Sequence, residues 1–180
     1  MLTTSRLTLR EFIETDWRAV YAYHTDPRYL RYYPWTTRTE TEVQTFVQRF
    51  ITWQAEDPRS RFQFAIVLTA GQQLIGTCGL RMNQPGGWEA DFGYEIAPDH
   101  WGHGYATEAA AAMLAYGFET LQLHRISASV IADNTASIRV LEKLGLRHEG
   151  TLRQNQWMKG RWWDTLIYAI LQPEWRERHP

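Results

Sequence analysis

The sequence has little cysteine, almost no net charge and no long apolar run. Cys78 is the single cysteine of 180 residues, which excludes an internal disulfide and fits a reducing compartment. A formal net charge of −1 implies no broad attraction to nucleic acid or to an anionic membrane. The N-terminal residues are not apolar enough for a signal peptide or a membrane span. These absences favour a cytoplasmic protein with neither nucleic acid nor membrane as a partner.

The composition is that of a globular protein, with 44% hydrophobic and 22% charged residues, and we expect a single domain over residues 1–180. Apolar–polar alternation and flanking turns predict strands at 7–10, 62–68, 74–80, 89–97, 125–131, 146–158 and 161–171. Helical periodicity and caps predict helices at 15–23, 39–54, 105–120 and 134–144, with a loop around 29–35. We therefore expect an α/β fold, with helices on both faces of a mixed, mostly antiparallel sheet of about six to seven strands.

Two glycines, Gly102 and Gly104, stand between a predicted strand and an alanine-rich helix in the segment HWGHGYATE. Glycines in front of a helix let an anion approach its first backbone N–H groups, which lack partners within the helix. A tight turn that binds nothing is the alternative. A P-loop is excluded because no lysine follows the glycines, and a dinucleotide fingerprint is weak because Thr107 takes its third position. A phosphate-binding loop explains this spacing best.

The segments GYEIAP and WGHGYA resemble the acetyl-CoA motif of the GNAT superfamily of N-acetyltransferases. Gly104 and Ala106 match its pyrophosphate signature, whereas Trp101 stands where Gln or Arg is usual. That departure affects one side-chain contact and leaves unchanged the backbone N–H groups that would surround the phosphates, here called the amide cradle. The segments NTAS, VLEKLGL and SRLTLREFIETD resemble the Rim-type ribosomal-protein acetyltransferases. The likeness covers nearly the whole chain and is less specific for the substrate than for the subfamily.

This resemblance implies that acetyl-CoA is the co-substrate and that two strands splay apart around its pantetheine arm. Backbone N–H groups near Ile96 and Ala97 would polarise the thioester carbonyl. The positions expected to contact the cofactor are Ile96, Ala97, Trp101, Gly102, His103, Gly104, Tyr105, Ala106, Thr107, Asn134 and Ser137.

Two residues are candidates for catalysis. Ser137 lies where Rim-type enzymes place a hydroxyl near the sulfur, so it would hydrogen-bond the departing thiolate; its alternative role is a bond within its own helix. Glu95 lies with Asp91 and Gly93 on one face of its strand, opposite Phe92, Tyr94 and Ile96, and could act as the general base. A structural salt bridge from Glu95 to an arginine on a neighbouring strand is the competing interpretation.

The aromatic residues supply candidates for an acceptor cleft, namely Tyr32, Tyr33, Trp35 and Trp157, although a core under a long loop is the alternative. Arg28, Arg31 and Arg38 near this loop could bind an acidic acceptor, although solvated arginines are the commoner case, and they should disfavour polycations. The histidines lack carboxylate or cysteine partners at ligand spacing, so we expect no metal.

We predict a cytoplasmic N-acetyltransferase that acts on a primary amine, foremost a protein or peptide N-terminal α-amine. The partner is thus an amine-bearing acceptor, and a homodimer is compatible with the sequence. The alternatives are a small-molecule amine acetyltransferase for a polyamine or antibiotic-like amine, a non-catalytic acyl-CoA sensor on the same fold and, more distantly, an NAD-binding oxidoreductase.

Overall fold

One mixed sheet organises the computed structural model, which describes residues 1–179. Its eight strands are β1 (Leu2–Thr3), β2 (Leu7–Arg10), β3 (Arg61–Leu68), β4 (Leu74–Met82), β5 (Glu89–Ile96), β6 (Arg125–Ile131), β7 (Arg147–Met158) and β8 (Arg161–Leu171). They follow the order β1-β2-β3-β4-β5-β6-β8-β7, with parallel pairing between β5 and β6 and antiparallel pairing elsewhere.

The sheet therefore has one strand more than the six to seven predicted, and the strand that was missed is the short edge strand β1. Its two residues pair with Leu9 and Thr8 of β2. A two-residue strand has too few positions for alternation to be visible, so the sequence contains no usable signal for it. The other seven strands lie where the alternation predicts them, with their ends shifted by at most two residues.

Six helices accompany the sheet: α1 (Trp17–His24), α2 (Pro27–Leu30), α3 (Glu40–Gln54), α4 (Tyr105–Ala115), α5 (Thr135–Lys143) and α6 (Gln172–Arg178). Thr39 caps α3 in a reciprocal capping box with Glu42, and the side chain of Asn134 caps α5. The loop expected around 29–35 begins later than predicted, because Asp26 caps the short helix α2 and Pro27 occupies its first turn. The predicted helix over 105–120 ends in a π-turn at Tyr116–Thr120.

The helices cover both faces of the sheet because strand side chains alternate between them. On one face Val20, Val43 and Val47 of α1 and α3 pack with Ala65 and Val67 of β3. The opposite face forms a larger core, in which Phe64 and Ile66 of the same strand pack with α4 and α5; Met113, Leu114 and Leu141 are its helical members. The buried Cys78 belongs to that core.

The pairing of β5 with β6 stops after three residues. Glu89, Ala90 and Asp91 pair with Arg125, Ile126 and Ser127, and no register follows. Beyond this point β5 continues along β4, while β6 continues along β8. The two strands thus diverge and leave an opening in the middle of the sheet, where backbone groups lack a neighbouring strand.

Candidate active site

A cavity of about 450 Å³ occupies this opening and extends under α3. Its floor is formed by β5, and its walls come from α3, β4, β6 and α5. The lining residues are Tyr33, Phe46, Arg49, Phe50, Trp53, Gln63, Thr77, Arg81, Asp91, Phe92, Gly93, Tyr94, Glu95, Ala128, Ser129, Ser137 and Leu141. Both predicted catalytic residues, Glu95 and Ser137, therefore face the same cavity from different elements.

The carboxylate of Glu95 is held by three side chains from the helical layer. The Tyr23 hydroxyl and His24 Nε2 donate to Glu95 Oε2 at 3.2 and 3.1 Å, and the Tyr33 hydroxyl donates to Oε1 at 3.3 Å. His24 is fully buried, and its ring stacks on Tyr29 at 4.6 Å. The arginine salt bridge considered for Glu95 is thus wrong, because its ionic partner is a histidine from α1.

These contacts decide the charge state of Glu95. Burial raises the pKa of Glu95, but the hydrogen bonds and charge of His24, with further help from tyrosine hydroxyls, outweigh burial and hold the pKa below its ordinary value. A carboxylate has about four lone-pair positions. Tyr23, His24 and Tyr33 use two positions on Oε2 and one on Oε1, and the buried hydroxyl of Tyr29, which has no other partner, lies close enough to contribute to the lowered pKa.

Ser137 lies beside a tyrosine that sequence reasoning missed. Its Oγ is 2.9 Å from the hydroxyl of Tyr94, and its backbone N–H donates to the capping Oδ1 of Asn134 at 3.2 Å. Burial is the largest influence on Tyr94 and raises its pKa to about 12, so the phenol keeps its proton near neutral pH. Asn134 and Ser137 are three residues apart, but the contact with Tyr94 joins residues 43 apart in sequence.

At the end of β5, the backbone groups of Ile96 and Ala97 face different neighbours. The Ala97 N–H donates to the Ile75 carbonyl at 2.7 Å, so that amide is already bonded within the sheet, contrary to the expected role in polarising a thioester. Backbone groups of successive strand residues face opposite neighbours. Those of Ile96 consequently face the opening, where the Ile96 carbonyl accepts a bond from Trp101 Nε1 at 2.7 Å.

The glycine loop has the backbone shape that the sequence predicts. Gly102 and Gly104 adopt φ of +79° and +81°, and Gly104 is the N-cap of α4. A Cβ on Gly102 would meet no atom within 4 Å, and one on Gly104 only the guanidinium of Arg6 at 3.5 Å. The glycines are thus required by the backbone conformation, and the space in front of the helix is open.

Side chains from the N-terminal segment hold this loop in place. Arg6 donates to the His103 carbonyl at 3.0 Å and to the Glu108 carboxylate at 2.7 Å, and its guanidinium covers the Tyr105 ring. The hydroxyl of Thr4 donates to the same carboxylate at 2.6 Å. The open amide cradle, the helix N-terminus and a nearby guanidinium fit a diphosphate group well. Ala106 and Thr107 lie in the first turn of α4, directly after this cradle.

Of the four acceptor-site candidates, Tyr33 alone lines the cavity. The Tyr32 hydroxyl instead donates to the Asp133 carbonyl at 3.0 Å, and Trp35 stacks on the outer side of Tyr33 at 5.0 Å. Trp157 projects from the edge strand β7 with 60% of its surface exposed. The structure therefore does not bring Tyr32, Trp35 and Trp157 into this cavity with Tyr33, and their contact with the acceptor stays a prediction.

The charged residues of the cavity also differ from those expected. Arg28 is paired with Asp26 and Asp99, whereas Arg31 and Arg38 stack on aromatic rings of the loop. The arginines that line the cavity are Arg49 and Arg81. The sequence offers one sign for each of these two arginines. Arg81 is a charged residue near the end of an apolar strand, and Arg49 lies two turns after the start of an amphipathic helix.

A model of the acetyltransferase (GNAT) domain matches residues 6–147. The chain belongs to the GNAT acetyltransferases. The uncharacterized N-acetyltransferase YnaD of Bacillus subtilis is 37% identical to this GNAT protein over 97% of this chain and 98% of its own. The ribosomal protein uS5-alanine N-acetyltransferase of Escherichia coli is 28% identical, with 97% of this chain and 92% of that enzyme covered.

Solved structures agree with this assignment. A GNAT-family acetyltransferase from Bacillus anthracis superposes with a TM-score of 0.83 at 32% identity, covering 96% of this chain and 98% of its own. Spermidine N-acetyltransferase from Vibrio cholerae, in complex with CoA and spermine, gives 0.82 at 26% identity, covering 96% and 99%. This GNAT protein is therefore an N-acetyltransferase that uses acetyl-CoA. Its relation to the ribosomal enzymes is distant, so the family is established and the Rim-type subfamily is not.

Two further features concern the described part of the chain. No group of three or more His, Cys, Asp or Glu side chains among residues 1–179 is arranged to hold a metal ion. None of the helices within these residues is long and apolar enough to cross a membrane.

Proposed function

We propose that this GNAT protein transfers acetyl directly from acetyl-CoA to the α-amine of a peptide or protein N-terminus, as a Rim-type enzyme would. The observation that carries the proposal is the state of Glu95, an ionised carboxylate with a lowered pKa that lines the same cavity as Ser137. Such a group attracts an ammonium ion but accepts its proton reluctantly. It therefore suits an amine that loses its proton easily.

The difference between amine classes is large. A peptide α-amine has a pKa of about 8, whereas a lysine-like amine has one of about 10.4. At pH 7 about 9% of the former and about 0.04% of the latter is neutral, a ratio of roughly 200. Because a lowered pKa makes Glu95 a weak base, it reduces this difference only in part, and the site still favours the α-amine.

The proposed chemistry uses three positions along the opening. Bound acetyl-CoA supplies the thioester carbonyl carbon that the neutral amine attacks. Glu95 takes the amine proton directly or through one water, and the Ile96 N–H donates to the carbonyl oxygen as it gains negative charge. As the C–N bond forms and the C–S bond breaks, the Tyr94–Ser137 pair donates a proton or hydrogen bond to the sulfur.

The cofactor would lie along β5, with its pantetheine arm bonded to the amides that face the opening and its diphosphate on the glycine loop. The predicted contacts at Ile96, Trp101, Gly102, Gly104 and Asn134 all border this path. The buried single cysteine is consistent with the cytoplasm as the compartment that we propose.

A small-molecule amine is the second candidate acceptor, and the likeness to spermidine N-acetyltransferase favours it. The charge of Arg49, which lines the cavity, speaks against a polyamine. Arg81 is balanced by Asp91, whereas repulsion from the Arg49 guanidinium would offset part of the attraction of Glu95 for a polycation.

The test is release of the CoA thiol with a panel of acceptors, followed by mass spectrometry to locate the acetyl group. Peptides with a free α-amine and no lysine are compared with N-blocked peptides that carry one lysine, and with spermidine. We expect the free α-amine peptides to have the highest kcat/KM near pH 7. Faster turnover of spermidine than of any peptide α-amine would refute the proposed acceptor class.

A further inference from the structure

Arg81 presents unused hydrogen-bond donors to the cavity close to Glu95. Its Nε and one terminal nitrogen donate to Asp91 Oδ2 at 3.1 and 2.5 Å, and the other terminal nitrogen donates to Gln63 Oε1 at 3.0 Å. A guanidinium has five N–H donors, so two remain free, one on each terminal nitrogen. Arg81 crosses β5 over Gly93, where a Cβ would lie 2.8 Å from its terminal nitrogen.

This position is adjacent to the catalytic carboxylate. Gly93 and Glu95 lie on the same face of β5, two residues or about 7 Å apart along the strand. The missing side chain of Gly93 thus lets the guanidinium of Arg81 lie over β5 at the strand position next to Glu95 on the same face. Asp91 balances the charge of Arg81 through its ion pair, which is half exposed.

Arg49 adds a second cation to the cavity. It projects from α3 and packs its guanidinium against Phe46, Phe50 and Trp53, at 5.4 to 6.0 Å from the ring centres. Within residues 1–179 it has no carboxylate partner and no hydrogen bond, so its five donors face solvent and the cavity. Among the charged side chains that line the cavity, Asp91 is paired with Arg81, Glu95 is bonded to His24, and Arg49 is the guanidinium without a carboxylate partner.

We propose that the acceptor carries a carboxylate within one amino-acid residue of its reactive amine, and that Arg49 and Arg81 bind this carboxylate while Glu95 binds the amine. The inference rests on the proposed function, since it names a narrower class of the same α-amine acceptors. An acidic first residue of a peptide and a free amino acid share this chemistry. The ammonium of such an acceptor would face Glu95 on β5, and its carboxylate would face Arg81, whose guanidinium lies over Gly93 of the same strand.

Uncharged and polycationic amines lack this match. An acceptor with an amide in place of the carboxylate leaves Arg49 without an anion and offers the two free donors of Arg81 only a neutral acceptor. A hydrogen bond between charged groups contributes about 1.5–3 kcal/mol, which corresponds to roughly tenfold or more in kcat/KM. Arg49 and Arg81 are then specificity-determining residues that contact the acceptor and take no part in the proton transfer.

The experiment compares matched acids and amides. The peptides carry Asp or Asn, and Glu or Gln, as the first residue; free amino acids and their amides form a second arm that distinguishes the two sources. An ω-amino acid and its amide form a third arm. Each kcat/KM is measured for the wild-type enzyme, Arg49→Gln, Arg49→Lys and the control Arg18→Gln. Arg18 is an exposed helical arginine that stacks on Trp17 and does not line the cavity.

We expect the wild-type enzyme to favour the acid over its amide by about tenfold or more. Arg49→Gln should lower this ratio toward one, Arg49→Lys should restore part of it, and Arg18→Gln should leave it unchanged. Comparing ratios between variants cancels the differences in amine pKa among acceptors. Unchanged thermal unfolding and CoA protection will show that each variant is folded.

A wild-type ratio near one for the Asp and Asn or the Glu and Gln peptides, or the same acid-to-amide ratio in Arg49→Gln as in the wild-type enzyme, would overturn the inference while leaving α-amine acetylation intact. A rise in KM for acetyl-CoA alone in Arg49→Gln would also overturn it, since Arg49 would then serve the cofactor. If no α-amine is acetylated, the proposed function fails, and the ω-amino acid and its amide still decide whether an anion is recognised.

Discussion

Glu95→Gln replaces the carboxylate at the centre of the cavity by an amide of the same size. The variant keeps an oxygen that can accept from Tyr33 or Tyr23, but it loses the negative charge that faces His24 and the incoming amine. General bases commonly contribute 10²- to 10⁴-fold to a rate. The loss should depend on how much the acceptor needs a base.

For a peptide α-amine, about 9% of which is already neutral at pH 7, we expect kcat/KM to fall by about tenfold. For a lysine-like amine, about 0.04% of which is neutral, we expect a larger fall, of about 10²-fold, at the lower end of the general-base range because Glu95 is a weak base. The preference for α-amines should therefore be larger in Glu95→Gln than in the wild-type enzyme.

The pH dependence follows from the lowered pKa of Glu95. Its carboxylate stabilises the folded state above the ordinary glutamate value of about 4.3, and that stabilisation is lost as pH falls through the lower folded value. Glu95 is hence ionised throughout pH 6–9. Over this range kcat/KM of the wild-type enzyme should rise only with deprotonation of the acceptor amine.

The assay follows CoA release across pH 6–9 for one α-amine peptide and one lysine peptide. Glu89→Gln is the matched control, since Glu89 lies on the same strand face but pairs with Arg125 outside the cavity. Thermal protection by CoA checks that each variant binds the cofactor. Unchanged kcat/KM and pH profiles for both amines in Glu95→Gln would refute the role of Glu95 as a base.

Three further predictions concern the cofactor side of the site. Gly104→Ala should weaken acetyl-CoA binding and destabilise the fold by about 1–2 kcal/mol, whereas the control Gly71→Ala, at a similar φ of +79° in open space, should lower stability alone. Calorimetric titration with CoA and thermal unfolding separate the two effects, and unaltered CoA affinity in Gly104→Ala would exclude the glycine loop as the diphosphate site. Tyr94→Phe should lower kcat by about tenfold or more with little change in KM for acetyl-CoA, because the phenol with a pKa of about 12 remains a donor at neutral pH; a larger effect of Ser137→Ala would assign that role to the serine. Arg6→Ala should raise the Kd for CoA about tenfold or less through loss of its bonds to the loop, and a Kd equal to that of the wild-type enzyme would limit Arg6 to the fold.

The parts of this protein that could be predicted from sequence are local in the chain. Gly102 and Gly104 need positive φ before a helix, and Asn134 caps the helix that begins one residue later. The side-chain alternation of β5 correctly separates Glu95 from Tyr94, since its period is a property of the extended backbone. Each of these features depends on residues within a few positions of one another, so the sequence displays its cause.

The tertiary structure decided which distant residues meet. Glu95 is bonded to His24 and Tyr23, more than 70 residues earlier, because α1 packs over β4, the strand paired with β5. Arg81 reaches the cavity because β4 and β5 are paired in one register and Gly93 leaves room for its guanidinium. Sequence shows which residue types are present, but a pKa or a cavity charge depends on distances of a few ångströms. Those distances arise only when strand register and helix packing bring separate segments together.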